Sequence, residues 1–219
     1  MKDLLTIVIP CKNERYNIEK TLLSLPAEVR VIVADSSNDD TLDFIPQGTE
    51  IISGGLPAIA RNLGGEKVIT PYVLFLDADM DISRVPLEKI LSVVIKDDVY
   101  LATTHITVKS WRRIFYWTFA IFQRIISMKS PFAVGGFMIF NTAEFRRLGG
   151  FNNNDKFAED FHLSMKVKRE KFRIFRFPAY TSERRLEKKS LFYMIKLMIS
   201  CWLNRHNNEF YTKDYGYWS

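Results

Sequence analysis

Short apolar runs alternate with amphipathic stretches along the first half of the chain. Residues 4–10 are apolar and β-branched at their centre, the pattern of a strand buried on both faces. Residues 17–25 bring Ile18, Leu22 and Leu25 onto one helical face, with Asn13 or Asn17 placed to cap its start. Residues 29–34 read as a second buried strand, followed by the polar loop Asp35-Ser36-Ser37-Asn38-Asp39-Asp40. A brief helix is expected over 41–45, a short strand over 50–53 that Gly54-Gly55 breaks, and a helix over 57–68. Residues 72–76 predict a fourth strand running straight into Asp77-Ala78-Asp79. Residues 86–95 predict a helix whose first turn holds Pro86 and Glu88, as helix starts prefer. Buried strands joined by helices, without hairpin turns between them, imply an α/β fold with a mostly parallel sheet and right-handed crossovers. Such sheets bind ligands beyond the carboxyl ends of their strands. The polar segments 11–14, 35–40 and 77–81 all fall there.

The second half is less regular. A strand is expected over 100–108, an aromatic helix over 111–128, and a strand over 132–140 with Gly135-Gly136 inside it, a sign of close backbone approach. A short helix over 142–148 ends at Gly149-Gly150. Residues 159–171 read as an amphipathic helix, 172–177 as a strand, 190–203 as a C-terminal amphipathic helix, and the rest as a polar, aromatic tail. No repeat or linker divides the chain, so a single domain is expected over 1–219.

Composition narrows the class. Of the 219 residues 47% are hydrophobic, which excludes a disordered chain. Two cysteines, Cys11 and Cys201, are too few for a disulfide scaffold or a cysteine zinc site and fit free thiols in a reducing compartment. No apolar stretch of about 18 residues lacks a charge, so no bilayer-spanning helix is expected. Met1-Lys2-Asp3-Leu4 leads directly into a strand, so no secretory leader is expected either. The expectation is a cytoplasmic protein, soluble or peripheral on a membrane. The net charge of +6 hides a division: residues 1–108 carry 10 Lys and Arg against 16 Asp and Glu, and residues 109–219 carry 21 against 9.

Three carboxylates, Asp77, Asp79 and Asp81, leave one strand end at spacing i, i+2, i+4. At short range they repel one another unless a cation sits among them. Mg²⁺ or Mn²⁺ favours carboxylate oxygens and commonly takes substrate phosphates as well. The plainer alternative is a solvated acidic turn.

Ile9-Pro10-Cys11-Lys12-Asn13-Glu14, then Asp35-Ser36-Ser37-Asn38-Asp39-Asp40-Thr41, then Asp77-Ala78-Asp79 resemble the nucleotide-sugar half of the family-2 glycosyltransferases with the GT-A fold. Gly135-Gly136, Gly149-Gly150-Phe151 and Glu159-Asp160 extend the resemblance over about residues 4–190. It departs from the family at Asp35-Ser36-Ser37, where an acid and a glycine are replaced by Ala34 and Ser36, which leaves uridine and guanosine both open as the donor base. The resemblance implies a metal-dependent, inverting transfer of a sugar from a UDP- or GDP-linked donor to an acceptor hydroxyl or a polyprenyl or other lipid phosphate. It implies that residues 1–108 bind the nucleotide sugar and 109–219 the acceptor. Pro10, Asn13 and Glu14 would line the base and ribose pocket, and Asp35 would accept from a base N–H. Arg61 would touch the diphosphate or base, and Asp77 the ribose or sugar. Asp79 and Asp81 would ligate Mn²⁺ or Mg²⁺. Asp160 would be the general base, and Gly135, Gly136 and Glu159 would lie on the acceptor side. Arg184 and Arg185, in a Thr-Ser-x-Arg-Arg segment, suit a diphosphate leaving group, because guanidinium binds phosphate oxygens in pairs. His162, near Asp160, reads as an ordinary helix-surface histidine.

Two other enzyme and binding classes fit parts of the pattern. A sugar-1-phosphate nucleotidyltransferase needs a glycine-rich loop after strand one, and Cys11-Lys12-Asn13-Glu14-Arg15 has no glycine. A catalytically degenerate binding subunit would not need Asp77, Asp79 and Asp160 intact. No nucleic-acid motif accompanies the basic balance, so no nucleic-acid partner is expected. The helices over 111–128 and 190–203 are rich in apolar and aromatic residues and flanked by Arg112-Arg113, Arg124, Lys188-Lys189, Lys196 and Arg205. That composition suits a membrane interface; core packing and an oligomer contact are equally open.

Overall fold

Strands β1 (Leu5–Cys11), β2 (Arg30–Asp35), β3 (Glu50–Ser53) and β4 (Tyr72–Leu76) lie in the order β3-β2-β1-β4, all parallel. The computed structural model describes residues 1–184 and 191–213. The predicted Arg185, Lys188 and Lys189 lie outside the described residues, as do the side chains of Leu191, Phe192, Met194, Ile195 and Met198. Helices α1 (Ile18–Leu23), α2 (Pro57–Glu66) and α3 (Leu87–Lys96) sit where their apolar spacing puts them, and Asp39 caps a 3₁₀ turn over Asp40–Phe44. Leu5, Ile7, Val8, Ile9, Ile32, Val33, Val73, Leu74, Phe75 and Leu76 are fully buried, as continuous apolar runs in a doubly covered sheet require.

The second half completes the same sheet. β7 (Phe137–Asn141) runs antiparallel to β4, and β6 (Leu101–Thr107) antiparallel to β7. β8 (Phe172–Thr181) runs parallel to β6, and the two-residue β5 (Met80–Asp81) pairs antiparallel with its end. The eight strands stand in the order β3-β2-β1-β4-β7-β6-β8-β5, with parallel pairing concentrated in the first half. Helices α4 (Arg113–Ser127), α5 (Thr142–Arg147), α6 (Glu159–Ser164), α7 (Leu191–Leu203) and α8 (Asn208–Thr212) follow in chain order.

Three details depart from expectation. Gly135-Gly136 precedes β7 rather than lying within it, because Phe137 N–H turns back to Val134 O at 3.1 Å. The helix from Glu159 stops at Ser164. Ser164 Oγ donates to Asp160 O and accepts from Ala133 N–H at 3.1 Å, and the next two bonds, Lys166 N–H to Leu163 O and Val167 N–H to Ser164 O, close tight turns. β8 runs on to Thr181, held by β6 and β5 across a register irregularity near Pro178. The tail contains α8, whose Tyr211 is fully buried with Phe157, Phe161 and Cys201. Among the described residues no helix is long and apolar enough to cross a membrane.

Candidate active site

The chain leaves β4 at Leu76 and turns at once. Asp77 N–H donates to Gly136 O and Met80 N–H to Asp77 O, both at 3.3 Å. Pairing of β5 with β8 then fixes the next side chains by strand alternation. Asp79 Oδ2 accepts from Thr181 Oγ1 at 3.1 Å and from Ser182 Oγ at 2.5 Å. Asp81 goes elsewhere, against the expectation that all three carboxylates converge. Its Oδ1 accepts from Ser83 Oγ and Ser83 N–H, and its Oδ2 from Lys109 Nζ at 3.0 Å. Ser83 and, with it, Lys109 hold the Asp81 carboxyl below its ordinary range. Asp77 and Asp79 line the pocket described below, whereas the Asp81 carboxylate is engaged by Ser83 and Lys109 and is not among its walls. Among the described residues no three His, Cys, Asp or Glu side chains form a ready-made metal cluster.

Behind Asp77 lies a buried ionic cluster. Arg61 on α2 is 1% exposed. Its Nη2 donates to Asp77 Oδ1 at 2.6 Å, its Nη1 pairs with Glu159 Oε1, and its guanidinium lies 5.5 Å over the Phe151 ring. A lone arginine on a helix is ordinarily a solvated charge; this one is the largest fully buried side chain among the described residues. Burial by itself lowers its pKa, but the carboxylates of Asp77, Glu159 and Asp160 raise it overall. Its neighbour Asn62 ties down the Gly149-Gly150-Phe151 turn: Nδ2 donates to Phe151 O at 2.8 Å and Oδ1 accepts from Phe151 N–H at 2.9 Å.

Glu159 and Asp160 open α6 directly after Ala158, whose φ of 51° lies in the left-handed region. A non-glycine residue there carries backbone strain, a state concentrated at functional sites. Asp160 Oδ2 accepts from Gly135 N–H at 2.5 Å and Oδ1 from Phe161 N–H at 2.7 Å. The approach expected of the glycine pair is therefore to Asp160: a Cβ at Gly135 would sit 3.0 Å from Arg61 Nη2 and 3.1 Å from Asp160 Oδ2. One guanidinium faces three carboxylates, so burial raises the pKa of both Glu159 and Asp160 even though Arg61 pulls them down. The two titrate as a pair.

The loops after β1 and β2 close on each other beside this cluster. Asn13 N–H donates to Ser37 Oγ at 2.8 Å, Asn38 N–H to Asn13 Oδ1 at 3.0 Å, and Glu14 N–H to Thr41 Oγ1 at 2.9 Å. Asp35 accepts from Ser37 through both oxygens. Asn13 takes the left-handed conformation, and Pro10 is half-buried at the end of β1. Glu14 is buried and pairs with Arg184 across from the second half, while its Oε2 accepts from Asn17. Burial raises the Glu14 pKa, against Asn17 and Arg184, and Asp79 adds to the rise, which places Glu14 within electrostatic reach of the Asp77–Asp79 turn. Burial, with Asp35 beside it, also pushes the Cys11 thiol up, away from the thiolate form that a nucleophile needs.

Asp77, Asp79, Arg61, Gly135, Gly136, Glu159 and Asp160 line one cavity of about 180 Å³. Pro10, Asn13, Glu14, Asp35 and Arg184 are not among its walls: Pro10 and Asp35 lie at the ends of β1 and β2, Asn13 and Glu14 in the loop after β1, and Arg184 against Glu14. Across residues 6–149 the sequence matches the family described as Glycosyl transferase family 2. The chain belongs to that family. A 90-residue stretch is 33% identical to an uncharacterized glycosyltransferase of Mycobacterium tuberculosis, covering 38% of this chain and 41% of that protein, well short of its full length. Solved structures similar in fold include the Mycobacterium tuberculosis glucosyl-3-phosphoglycerate synthase bound to Mn²⁺, UDP-glucose and phosphoglyceric acid (TM-score 0.65, 18% identity, 92% of this chain and 79% of that one). A Pyrobaculum calidifontis mannosyltransferase with GDP-mannose and Mn²⁺ also matches (TM-score 0.64, 20% identity, 84% and 60%). So does Staphylococcus aureus TarS 1-349 with UDP-GlcNAc (TM-score 0.62, 19% identity, 81% and 58%). The sheet is thus the GT-A sheet of a family-2 glycosyltransferase.

Some residues of this glycosyltransferase's site had no sequence signal of their own. Thr181 and Ser182 reach Asp79 only because β8 pairs with β5. Their place beside Arg184 in Thr-Ser-x-Arg-Arg was the available hint. His162 is not on the surface: it is 9% exposed, its Nδ1 is 2.7 Å from Asp155 Oδ2, and its ring stacks on Tyr211 at 4.7 Å. It holds α8 against α6, a role that the sequence spacing of 49 residues conceals.

Proposed function

We propose that the protein is an inverting, metal-dependent glycosyltransferase that uses a UDP- or GDP-linked sugar, with Asp160 as its general base. The observation that carries this reading is the Asp160 carboxylate, anchored by two backbone N–H groups in the same cavity as Asp77 and Asp79. The interlocked loops at Asn13–Glu14 and Asp35–Ser37 offer the base and ribose a preformed edge. In the reaction an acceptor oxygen attacks the anomeric carbon as its proton passes to Asp160. The bond to the nucleoside diphosphate breaks, and a single displacement inverts the carbon. Glu159 and Asp77 hold Arg61, and the N–H groups of Gly135 and Phe161 hold Asp160. Arg184, half exposed and parked on Glu14, is a cation available to swing onto a diphosphate.

A divalent cation fits this site. Asp79 presents a hard carboxylate whose second oxygen takes no hydrogen bond among the described residues, and Mg²⁺ or Mn²⁺ is commonly held by one or two carboxylates plus phosphate oxygens. Asp79 would hold it, with Asp77 beside it. When bound, the cation would neutralise charge on the departing diphosphate. Titration calorimetry with UDP and GDP is expected to detect one of them in Mn²⁺, and Asp79→Asn is expected to weaken that binding about tenfold or more. Binding that is indifferent to both the metal and Asp79 would remove the assignment.

We also propose that α4 rests on an anionic membrane surface. Its Ile114, Trp117, Ile121, Ile125 and Met128 are 64, 64, 43, 61 and 73% exposed, at spacings of three and four residues. Arg112 and Arg113 stand at one end and Lys129 at the other. A helix with one apolar stripe and basic flanks lies in the headgroup region. The chain is expected to float with phosphatidylserine-containing liposomes at physiological salt, and Trp117→Ser with Ile121→Ser and Ile125→Ser is expected to leave most of it at the bottom. Equal flotation of both proteins would assign the stripe to another contact.

A further inference from the structure

The cavity has two unlike sets of walls. Asp77, Asp79, Arg61, Glu159 and Asp160 form the charged set. Phe115, Phe119, Phe132, Leu197 and Trp202, from α4, the loop before β7, and α7, form the apolar one. Phe132 packs edge-on against Phe161 at 4.8 Å and against Phe119 at 6.0 Å, forming an aromatic collar directly after the reactive carboxylate. Resting on the transferase reading above, we propose that the acceptor is an amphiphile: its polar head meets Asp160 and its hydrocarbon chain lies in this apolar half between α4 and α7.

Two independent observations lead there. The first is the chemistry of the walls. A carbohydrate acceptor has a hydroxyl on nearly every carbon, and each one buried among these side chains would lose its water without gaining a partner. A hydrocarbon chain loses nothing there and gains from leaving water. The second is the other side of α4. At 100° per residue, Phe115 and Phe119 face the cavity while Trp117, Ile121, Ile125 and Met128 point away from it into solvent. One helix is therefore the cavity wall on one face and an exposed apolar stripe on the other. Trp202, a cavity wall that is itself 37% exposed, puts an apolar opening at α7 beside α4. A chain-bearing acceptor held in a bilayer under α4 reaches Asp160 past these two helices without crossing water. Arg205, whose guanidinium lies 4.8 Å over the Trp202 ring, puts a cation there that suits an anionic head or lipid neighbour.

The test is binding of dodecyl phosphate to the full chain, below its micelle concentration and with no sugar donor, against methyl phosphate as the chainless control. Dodecyl phosphate is expected to bind at least tenfold tighter. Leu197→Trp, which fills the apolar half, is expected to weaken dodecyl phosphate at least tenfold while nucleotide binding in Mn²⁺ stays within twofold of the parent. Equal affinity for the two phosphates, or dodecyl phosphate binding that ignores Leu197→Trp, would overturn the proposal. If Leu197→Trp does not fold, a dodecyl phosphate with a photoreactive chain is used on the parent protein. Labels on α4, the 132–136 loop or α7 support the site, and labels confined elsewhere overturn it. Because no donor is present, loss of chain binding leaves the transferase reading standing, and a failed nucleotide titration leaves this result readable.

Discussion

Asp160→Asn is expected to slow sugar transfer by about 10³-fold, within the span that a positioned general base contributes, while leaving donor affinity nearly unchanged. Asparagine keeps the shape of the side chain and its oxygen still accepts from Gly135 N–H, so the loop before β7 is held as before. What it cannot do is take the acceptor's proton. The check is steady-state release of nucleoside diphosphate beside a calorimetric donor titration. Turnover within about threefold of the parent would remove Asp160 from the base role. The pH profile carries the same information. Burial raises the Asp160 and Glu159 pair above the ordinary carboxylate range, so the base form is filled only as pH climbs through that raised value. Transfer is expected to fall on the acid side at a pH above the usual carboxylate pKa. Glu159→Gln removes one of the coupled charges and leaves Arg61 more fully to Asp160, so the acid limb is expected to move to lower pH.

Arg61→Met is expected to be the most destabilising single change in the site. It leaves Asp77, Glu159 and Asp160 without their cation, and breaking a buried pair in this way typically costs about 3–5 kcal/mol. For a domain of this size that corresponds to a fall in Tm of roughly 10 °C. The sign of the pH dependence follows from the carboxylates. Without Arg61 the folded-state pKa values of Glu159 and Asp160 rise further above the unfolded values, so the folded variant binds protons more strongly than the unfolded one. Its stability is then greatest below the unfolded carboxylate pKa and is lost as pH rises through the raised folded value. The deficit against the parent is expected to be smaller near pH 5 than near pH 8 in thermal melts. An equal deficit at both pH values would show that packing over Phe151, not charge, is what Arg61 contributes.

Strand and helix positions in the first half were legible because the apolar runs of β1 and β4 are covered on both faces, so their local pattern matches their final environment. The second half was less legible where that match breaks down. Residues 159–171 carry a helical period, yet Ser164 bonds to Ala133 and the helix ends. Tyr211 looks like part of a polar tail, yet it is buried against His162 and Phe157. Asp81 has the spacing of a ligand, but the edge pairing of Met80 with Thr181 turns it toward Lys109. Arg61 has the composition of a surface charge, and only its pairing with Asp77 and Glu159 makes it a core residue.

By itself the sequence determined that acids would gather at the carboxyl edge of a parallel sheet: apolar runs fix where strands end, and the chain order of Glu14, Asp35 and Asp77 does the rest. Only the tertiary structure decided which carboxylates share a cavity and which helices wall it. Those contacts join residues 16 to 103 positions apart, as between Arg61 and Asp77 or Asp79 and Ser182. Their directions are set by strand pairing and burial, which no local period encodes.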